Sequence, residues 1–299
     1  MKRIACCFAL VASGMAFTAT AEPIHGEITV GRLYDSNVTI DEIDRVSHVG
    51  DIATLLEAQA AWKTPLAYGS ELRLSYNLTQ TWHDDFSAFN QQIQSVIADL
   101  SRDFGPVSTG LTWRHTRSRL NGRDFSTGNQ FVAAAGRTFG PKFQVRGSYS
   151  WTDRSYDGRA QRDAVSQAVA VDGFYYYVRG AANYVSAGLR HNREDAQAAQ
   201  FSFDGDAIRM RTARRFRWQK QIVTGQLAWQ YEDRRYDGVT ASIGAPRHDR
   251  RSSASARLEA PFGDGFSVAG EFAVSDYDSN LPSADYSQQI ASIRVSKDF

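Results

Sequence analysis

Apolar and polar residues alternate one by one along most of this chain. Leu72, Leu74, Tyr76, Leu78 and Trp82 interleave with Arg73, Ser75, Asn77, Thr79 and Thr81. Phe143, Val145, Tyr149 and Trp151 interleave with Gln144, Arg146, Ser148, Ser150 and Thr152. Phe266, Val268, Phe272 and Val274 interleave with Ser267, Glu271 and Ser275. A period of two puts each set on one face of a strand. The rhythm predicts fourteen strands, near 26–34, 53–64, 70–83, 90–104, 107–119, 125–139, 142–156, 163–178, 181–194, 201–216, 219–235, 251–262, 265–277 and 286–299. The segment 90–104 is the least regular. Strands of roughly 10 residues or more, tilted, can cross a bilayer. No apolar run past the N-terminal segment is long enough for a membrane helix, so any crossing falls to strands.

The connections alternate between short and long. Short ones hold 65–69, 105–106, 140–141, 179–180, 217–218 and 261–265, and longer ones hold 35–52, 84–89, 120–124, 157–162, 195–200, 236–250 and 278–285. The expected fold is therefore all-β: an antiparallel up-and-down transmembrane barrel of about fourteen strands. Both termini and the short turns face the periplasm, and the long loops face outward. Proline donates nothing to a strand ladder. Pro65, Pro106, Pro141 and Pro261 are expected in short turns, Pro246 and Pro282 in long loops, and Pro23 before the first strand. A soluble sandwich or propeller is the competing architecture, but the chain shows too many long amphipathic strands and no sign of two facing inner sheets. Aromatics fall near strand ends, as two interfacial girdles would require. Tyr34, Trp82, Trp113, Trp151, Tyr231, Tyr236 and Tyr277 are expected in the outer girdle. Trp62, Tyr68, Phe104, Phe139, Phe216, Trp218 and Phe262 are expected in the inner one.

The N-terminus adds an address. Lys2 and Arg3 precede an apolar stretch from Ile4 to Phe17, and Ala19-Thr20-Ala21 has the small-x-small form of a cleavage site. Residues 1–21 are read as a signal peptide and 22–299 as the barrel, which sends the chain through the inner membrane to the outer membrane of a Gram-negative cell. Cys6 and Cys7 both fall inside the leader, so the mature chain offers neither a disulfide nor a thiolate metal site. Without Lys2 and Arg3 it carries 32 basic residues, from 34 in the whole chain, against 33 acidic ones. That balance argues against nucleic acid as a partner. Lipid, including lipopolysaccharide, is the expected surrounding.

Three motifs stand out. The chain ends in Phe299, preceded on one face by Lys297, Val295, Ile293 and Ala291. Ile293, Val295 and Phe299 resemble the terminal signal read by the barrel assembly machinery, and Lys297 departs from it, as a side chain able to snorkel. A Tyr-Asp pair recurs where upward strands end, at Tyr34-Asp35, Tyr156-Asp157, Tyr236-Asp237 and Tyr277-Asp278. An interfacial Tyr followed by a turn-forming Asp explains the pattern, and a ligand-contacting outer mouth is the alternative. Gly31-Arg32-Leu33-Tyr34-Asp35-Ser36-Asn37-Val38 and the stretch from Asp276 through Tyr286, running on to Phe299, resemble the C-terminal barrel of the surface lipoprotein assembly modifier family. That resemblance implies a role in helping lipoproteins or other exported proteins reach the cell surface. It also implies a helical-repeat periplasmic domain before the barrel. Here the first expected strand follows the leader almost directly, so a separate partner, or a different task on the same barrel, is expected.

The strand phase turns Arg73, Arg114, Arg146, Arg190, Arg209, Arg211, Arg257 and Arg294 into the lumen, together with Glu57, Glu232, Glu259 and Glu271. A charge facing lipid near the midplane costs about 2–4 kcal/mol. Two readings stand: a mixed-charge network that braces the wall, and an anion-preferring constriction. Catalytic signals are fragments. His83-Asp84-Asp85 lies at an outer strand end, but successive strand residues point to opposite faces. His115, His191 and His248 are scattered. Asp35, Asp41, Glu42 and Asp44 could collect calcium, although solvated loop acids are the commoner case. No enzyme, cofactor or metal is expected. The function read is a porin-like channel or an assistant of surface protein export. A barrel with a blocked lumen acting through its loops is the alternative, and a barrel hydrolase comes last.

Overall fold

The computed structural model describes residues 24–177 and 182–299. The expected signal peptide at 1–21, Pro23 and the expected short turn at 179–180 lie outside them. Fourteen antiparallel strands close into a barrel: β1 Ile24–Asp35, β4 Asp51–Pro65, β5 Ser70–His83, β6 Gln91–Phe104, β7 Val107–Leu120, β8 Arg123–Phe139, β9 Phe143–Tyr156, β10 Ala164–Tyr176, β11 Tyr184–Ala196, β12 Phe203–Trp218, β13 Gln221–Thr240, β14 Ala245–Pro261, β15 Phe266–Ser279 and β16 Tyr286–Asp298. Each pairs with its sequence neighbours, and β1 seals the ring against both β4 and β16. Two further strands, β2 Thr39–Ile40 and β3 Arg45–Val46, form a hairpin within the first outer loop. A 14-residue strand such as β5 is about 46 Å long at 3.3 Å per residue. A tilt near 40° still leaves about 35 Å along the barrel axis, enough to cross the apolar band.

The burial pattern is inverted relative to a soluble protein. Ile293, Leu189, Leu111 and Val30 are 66%, 63%, 59% and 51% exposed, whereas Thr29, Ser75, Thr79, Ser292 and Ser296 are buried. Lipid is the solvent outside, so apolar side chains face outward at no cost and polar ones line the wall within. The segment 90–104, least regular in sequence, forms β6 with unbroken pairing on both sides.

Pro65 and Pro261, expected in short turns, are the last paired residues of β4 and β14, and three further departures from the expected boundaries have local reasons. The connection at 120–124 is only Asn121-Gly122, whose φ values of 49° and 74° make a two-residue hairpin turn that suits these residues. The loop at 236–250 is largely strand: β13 and β14 continue past a register shift between Arg235 and Val239 to a turn at 241–244. Pro246 therefore lies in β14, but above the point where β15 begins to pair, so only β13 needs its backbone there. The short turn at 217–218 moves to Gln219-Lys220, because Arg217 and Trp218 still pair with β13.

The girdles also need correction. Tyr34, Trp82 and Trp113 face outward, and Phe104, Phe139, Trp218 and Phe262 form the opposite belt. Tyr236 and Tyr277 do not join the outer girdle. Their strand phase is that of Glu232 and Arg251, so they point into the barrel, and Tyr156 does the same on β9. Tyr34 alone of the four Tyr-Asp pairs turns to lipid, and its Asp35 turns inward and is 5% exposed. A one-residue difference in phase exchanges the roles of the two side chains.

Candidate functional site

The strand registers place all twelve sequence-read charges, eight arginines and four glutamates, on the inward face and group them unevenly. On one side Arg294 reaches Glu271 at 3.2 Å and Glu57 at 3.8 Å, and Arg257 reaches Glu259 at 2.8 Å and Glu271 at 3.8 Å. Glu232 pairs with Arg234 at 2.9 Å. Arg209 is held in a fork by Asp172, through Nε at 2.9 Å and Nη2 at 2.7 Å. Asp172 had no place in the sequence-read set, although its strand phase marks it. Arg190 and Arg211 stand on the same inward phase of β11 and β12. Arg73, Arg114 and Arg146, on β5, β7 and β9, enter no ion pair among the described residues. Arg73 stands opposite Asp99, and Arg146 opposite the Asp172 that Arg209 already holds. Arg114 stands between Ile97 and Gln130.

The Asp172–Arg209 pair lies across Gly188, where an added Cβ would fall on the Asp172 carboxylate. Arg209→Gln is expected to shift the reversal potential toward the cation side, because Asp172 loses its closest cation. The measurement is a salt-gradient recording in planar bilayers with the first outer loop shortened. Gly188→Ala should do the same and cost about 1–3 kcal/mol of overpacking. An unmoved potential in both would reduce the pair to a brace.

Above this wall the first outer loop, residues 36–50, turns inward. Its hairpin of β2 and β3 carries a 3-10 turn over Asp41–Ile43 and ends on Asp44, whose φ of 52° reverses the chain. Val38 and Ile40 pack against Phe89, Phe125 and Tyr156, with Ile43, Phe86 and Leu120 at the edge. These partners lie in or beside the second, third and fourth outer connections. Asp44 accepts from Arg162 at 2.6 Å and from Arg247 at 2.8 Å. Arg162 lies between β9 and β10, six and seven strands from β1 in a closed ring of fourteen. The loop therefore crosses the mouth to the opposite wall. Arg162 also donates to the Glu42 carbonyl at 2.7 Å and stacks on Phe201. Tyr277 and Tyr286 both donate to Asp41.

Arg247 is the pivot. Its side chain is 4% exposed and lies over the Tyr236 ring. It forks onto Asp249 at 2.7 and 2.8 Å. Asp249 also accepts from Ser279 at 2.7 Å, Arg251 at 3.1 Å and Tyr236 at 3.3 Å. At the root of the loop, Asp35 accepts from the Asn37 amide and Gln288. The outer-mouth tyrosines 156, 236 and 277 thus belong to a closed polar and aromatic seat, while Asp157, Asp237 and Asp278 remain exposed.

The acids considered for calcium do not converge. Asp35 is committed to Gln288, Asp41 to two tyrosines and Asp44 to two arginines. The catalytic fragment separates as well. His83 lies 3.4 Å from Asp51, with side chains 8% and 2% exposed, and Asp84 turns outward to Arg32 at 2.6 Å. His191 and His248 face outward beside Asp206 and Asp233, and His115 beside Asn129. At the chain's end Ile293, Val295 and Phe299 share the outward face, and Lys297 bends to the Asp264 carbonyl over the Phe266 ring.

The family described as surface lipoprotein assembly modifier matches residues 111–299. The motif through Gly31–Val38 lies outside that stretch. No curated protein sequence matches the chain. Among solved structures, the anion-selective porin from Comamonas acidovorans is similar in fold, with a TM-score of 0.52 at 7% identity, covering 92% of this chain and 98% of that one. The CdiB protein from Acinetobacter baumannii gives a TM-score of 0.49 at 9% identity over 93% of this chain and 60% of that one. A loop-deletion form of the Vibrio cholerae outer-membrane protein OmpT gives 0.48 at 9% identity, covering 92% and 99%.

Proposed function

Because this chain belongs to the surface lipoprotein assembly modifier family, we propose that it is an outer-membrane barrel that assists a lipoprotein or another exported protein to the cell surface. The observation that carries this reading is the first outer loop, spanning the mouth from β1 to Arg162 on the far wall. A loop seated on both an apolar cluster and buried ion pairs suits a gate that a passenger displaces better than a mouth left open to solutes. Signal-peptide removal, recognition of Phe299 by the assembly machinery and an outer rim set in lipopolysaccharide belong to the same reading. No catalytic step is part of it.

A small-solute channel with anion preference is the second reading, favoured by Arg73, Arg114 and Arg146 standing outside any ion pair among the described residues.

The test is a deletion strain of the native bacterium with its surface proteins quantified by protease shaving. Loss of one or a few surface lipoproteins is expected, restored by the wild-type chain. It should not be restored by Asp44→Cys/Arg247→Cys after bridging with a short bis-maleimide. The mature chain has no other cysteine to compete. An unchanged surface proteome, together with steady conductance of the purified barrel, would turn the choice to the solute channel.

A further inference from the structure

Two short turns and the strand ends around and between them build one basic rim. The turns joining β8 to β9 and β12 to β13 flank the adjacent ends of β10 and β11, because these six strands are consecutive in the barrel. They are also bonded to one another. The Tyr176 amide donates to the Lys142 carbonyl at 2.8 Å. The Tyr177 hydroxyl donates to the Ala213 carbonyl at 2.7 Å, and the Arg215 amide donates to the Asn183 side chain at 2.9 Å. Along this rim Arg137 and Arg214 take the outward phase of their strands, Arg215 and Arg217 the inward phase at the open end of the barrel, and Lys142 and Lys220 lie in the turns; all six are exposed. None has a carboxylate in ion-pair reach among the described residues. The stretches 136–146, 173–190 and 207–226 contain no Asp or Glu at all. The remaining short turns differ: Glu71, Asp103 and Asp264 sit in or beside them, and Lys63 faces Glu71 at 4.0 Å.

We propose that this rim binds anionic phospholipid headgroups of the periplasmic leaflet. The neighbours of the cations decide for lipid over an acidic protein. Arg137 stacks on the outward Phe139 with its guanidinium 5.1 Å from the ring centroid, and Phe139 packs on Phe143. Phe143, Tyr175 and Trp218 are 44%, 49% and 61% exposed. Aromatic rings at the membrane–water boundary with unpaired cations beside them place the rings among acyl chains and the charges among phosphates. The opposite side of the rim mixes both signs, so the barrel presents one charged flank to the leaflet and is oriented by it.

The experiment reconstitutes the mature chain in nanodiscs of phosphatidylcholine and compares spin-labelled phosphatidylglycerol with spin-labelled phosphatidylcholine in the motionally restricted shell. The wild type should retain phosphatidylglycerol several-fold more strongly, with the preference shrinking as salt rises. In a variant carrying Gln at all six positions the preference should vanish, and single substitutions should each remove up to about fivefold. Heat-modifiable migration in detergent confirms that each variant is folded. A wild type without preference, or a preference that survives in the six-site variant, overturns the proposal. Binding of a polyglutamate peptide to the wild-type rim without any phosphatidylglycerol preference also overturns it, in favour of an acidic protein.

Discussion

Replacing residues 38–48 with a short Gly-Ser linker should convert a quiet barrel into a conducting one. The loop is held by an apolar cluster on one side and by Asp44 between Arg162 and Arg247 on the other. Asp44→Ala should act in the same direction through one contact. The Asp44 side chain is 10% exposed, and removing one partner of a buried ion pair costs about 3 kcal/mol or more. The loss here falls at the low end, because Arg247 keeps Asp249 and Arg162 keeps the Glu42 carbonyl. At 1.4 kcal/mol per tenfold, the open-to-closed ratio should rise about a hundredfold. Planar-bilayer recordings read this as open probability, with Asp44→Asn intermediate. If the loop-shortened barrel stays as silent as the wild type, the obstruction lies lower, in the Arg–Glu network of the wall.

The second large effect is on stability. Asp249→Ala should lower the unfolding free energy in detergent micelles by about 3–5 kcal/mol. Asp249 is 1% exposed and accepts from Arg247, Arg251, Ser279 and Tyr236. Its removal strands the Arg247 guanidinium, itself almost fully buried, with only Asp44 to answer it. Asp278→Ala is the matched control on the same rim. That side chain is 68% exposed and lies 3.9 Å from Arg250, so its loss should stay within about 0.5 kcal/mol. Urea titrations of the two variants, followed by tryptophan emission, compare them directly. Equal midpoints would mean that the outer seat contributes nothing beyond a solvated surface.

The barrel is legible in the sequence because a lipid-facing wall imposes a local rule on every strand. Alternation must persist for the thickness of the bilayer, and it does from Leu72 to Trp82 and from Phe266 to Val274. The same rule assigns Arg73, Arg209 and Glu271 to the inside, since the outside is too costly for them. The rule weakens above the membrane. Residues 236–250, where the inner face is a buried polar seat and no regular apolar alternation is kept, read as loop although they are largely strand. Tyr236 and Tyr277 read as interfacial although they turn inward, because a tyrosine at a strand end suits either face.

The site at the mouth was beyond the reach of periodicity. Asp44 and Arg162 are separated by 118 positions and Asp44 and Arg247 by 203. No local pattern joins them. The acids of the first loop look like solvated carboxylates, and Arg162 looks like one more loop cation. Their pairing needs the ring to close first, so that β1 and the β9–β10 connection face each other across the lumen. The sequence by itself determined the number of barrel strands, the inward or outward phase of their membrane-crossing parts and the resemblance to the family, all of which follow from short-range alternation and contiguous motifs. Only the tertiary structure decided that the first loop folds inward and which cation each acid takes. Those choices depend on contacts between segments that become neighbours only once the sheet has closed on itself.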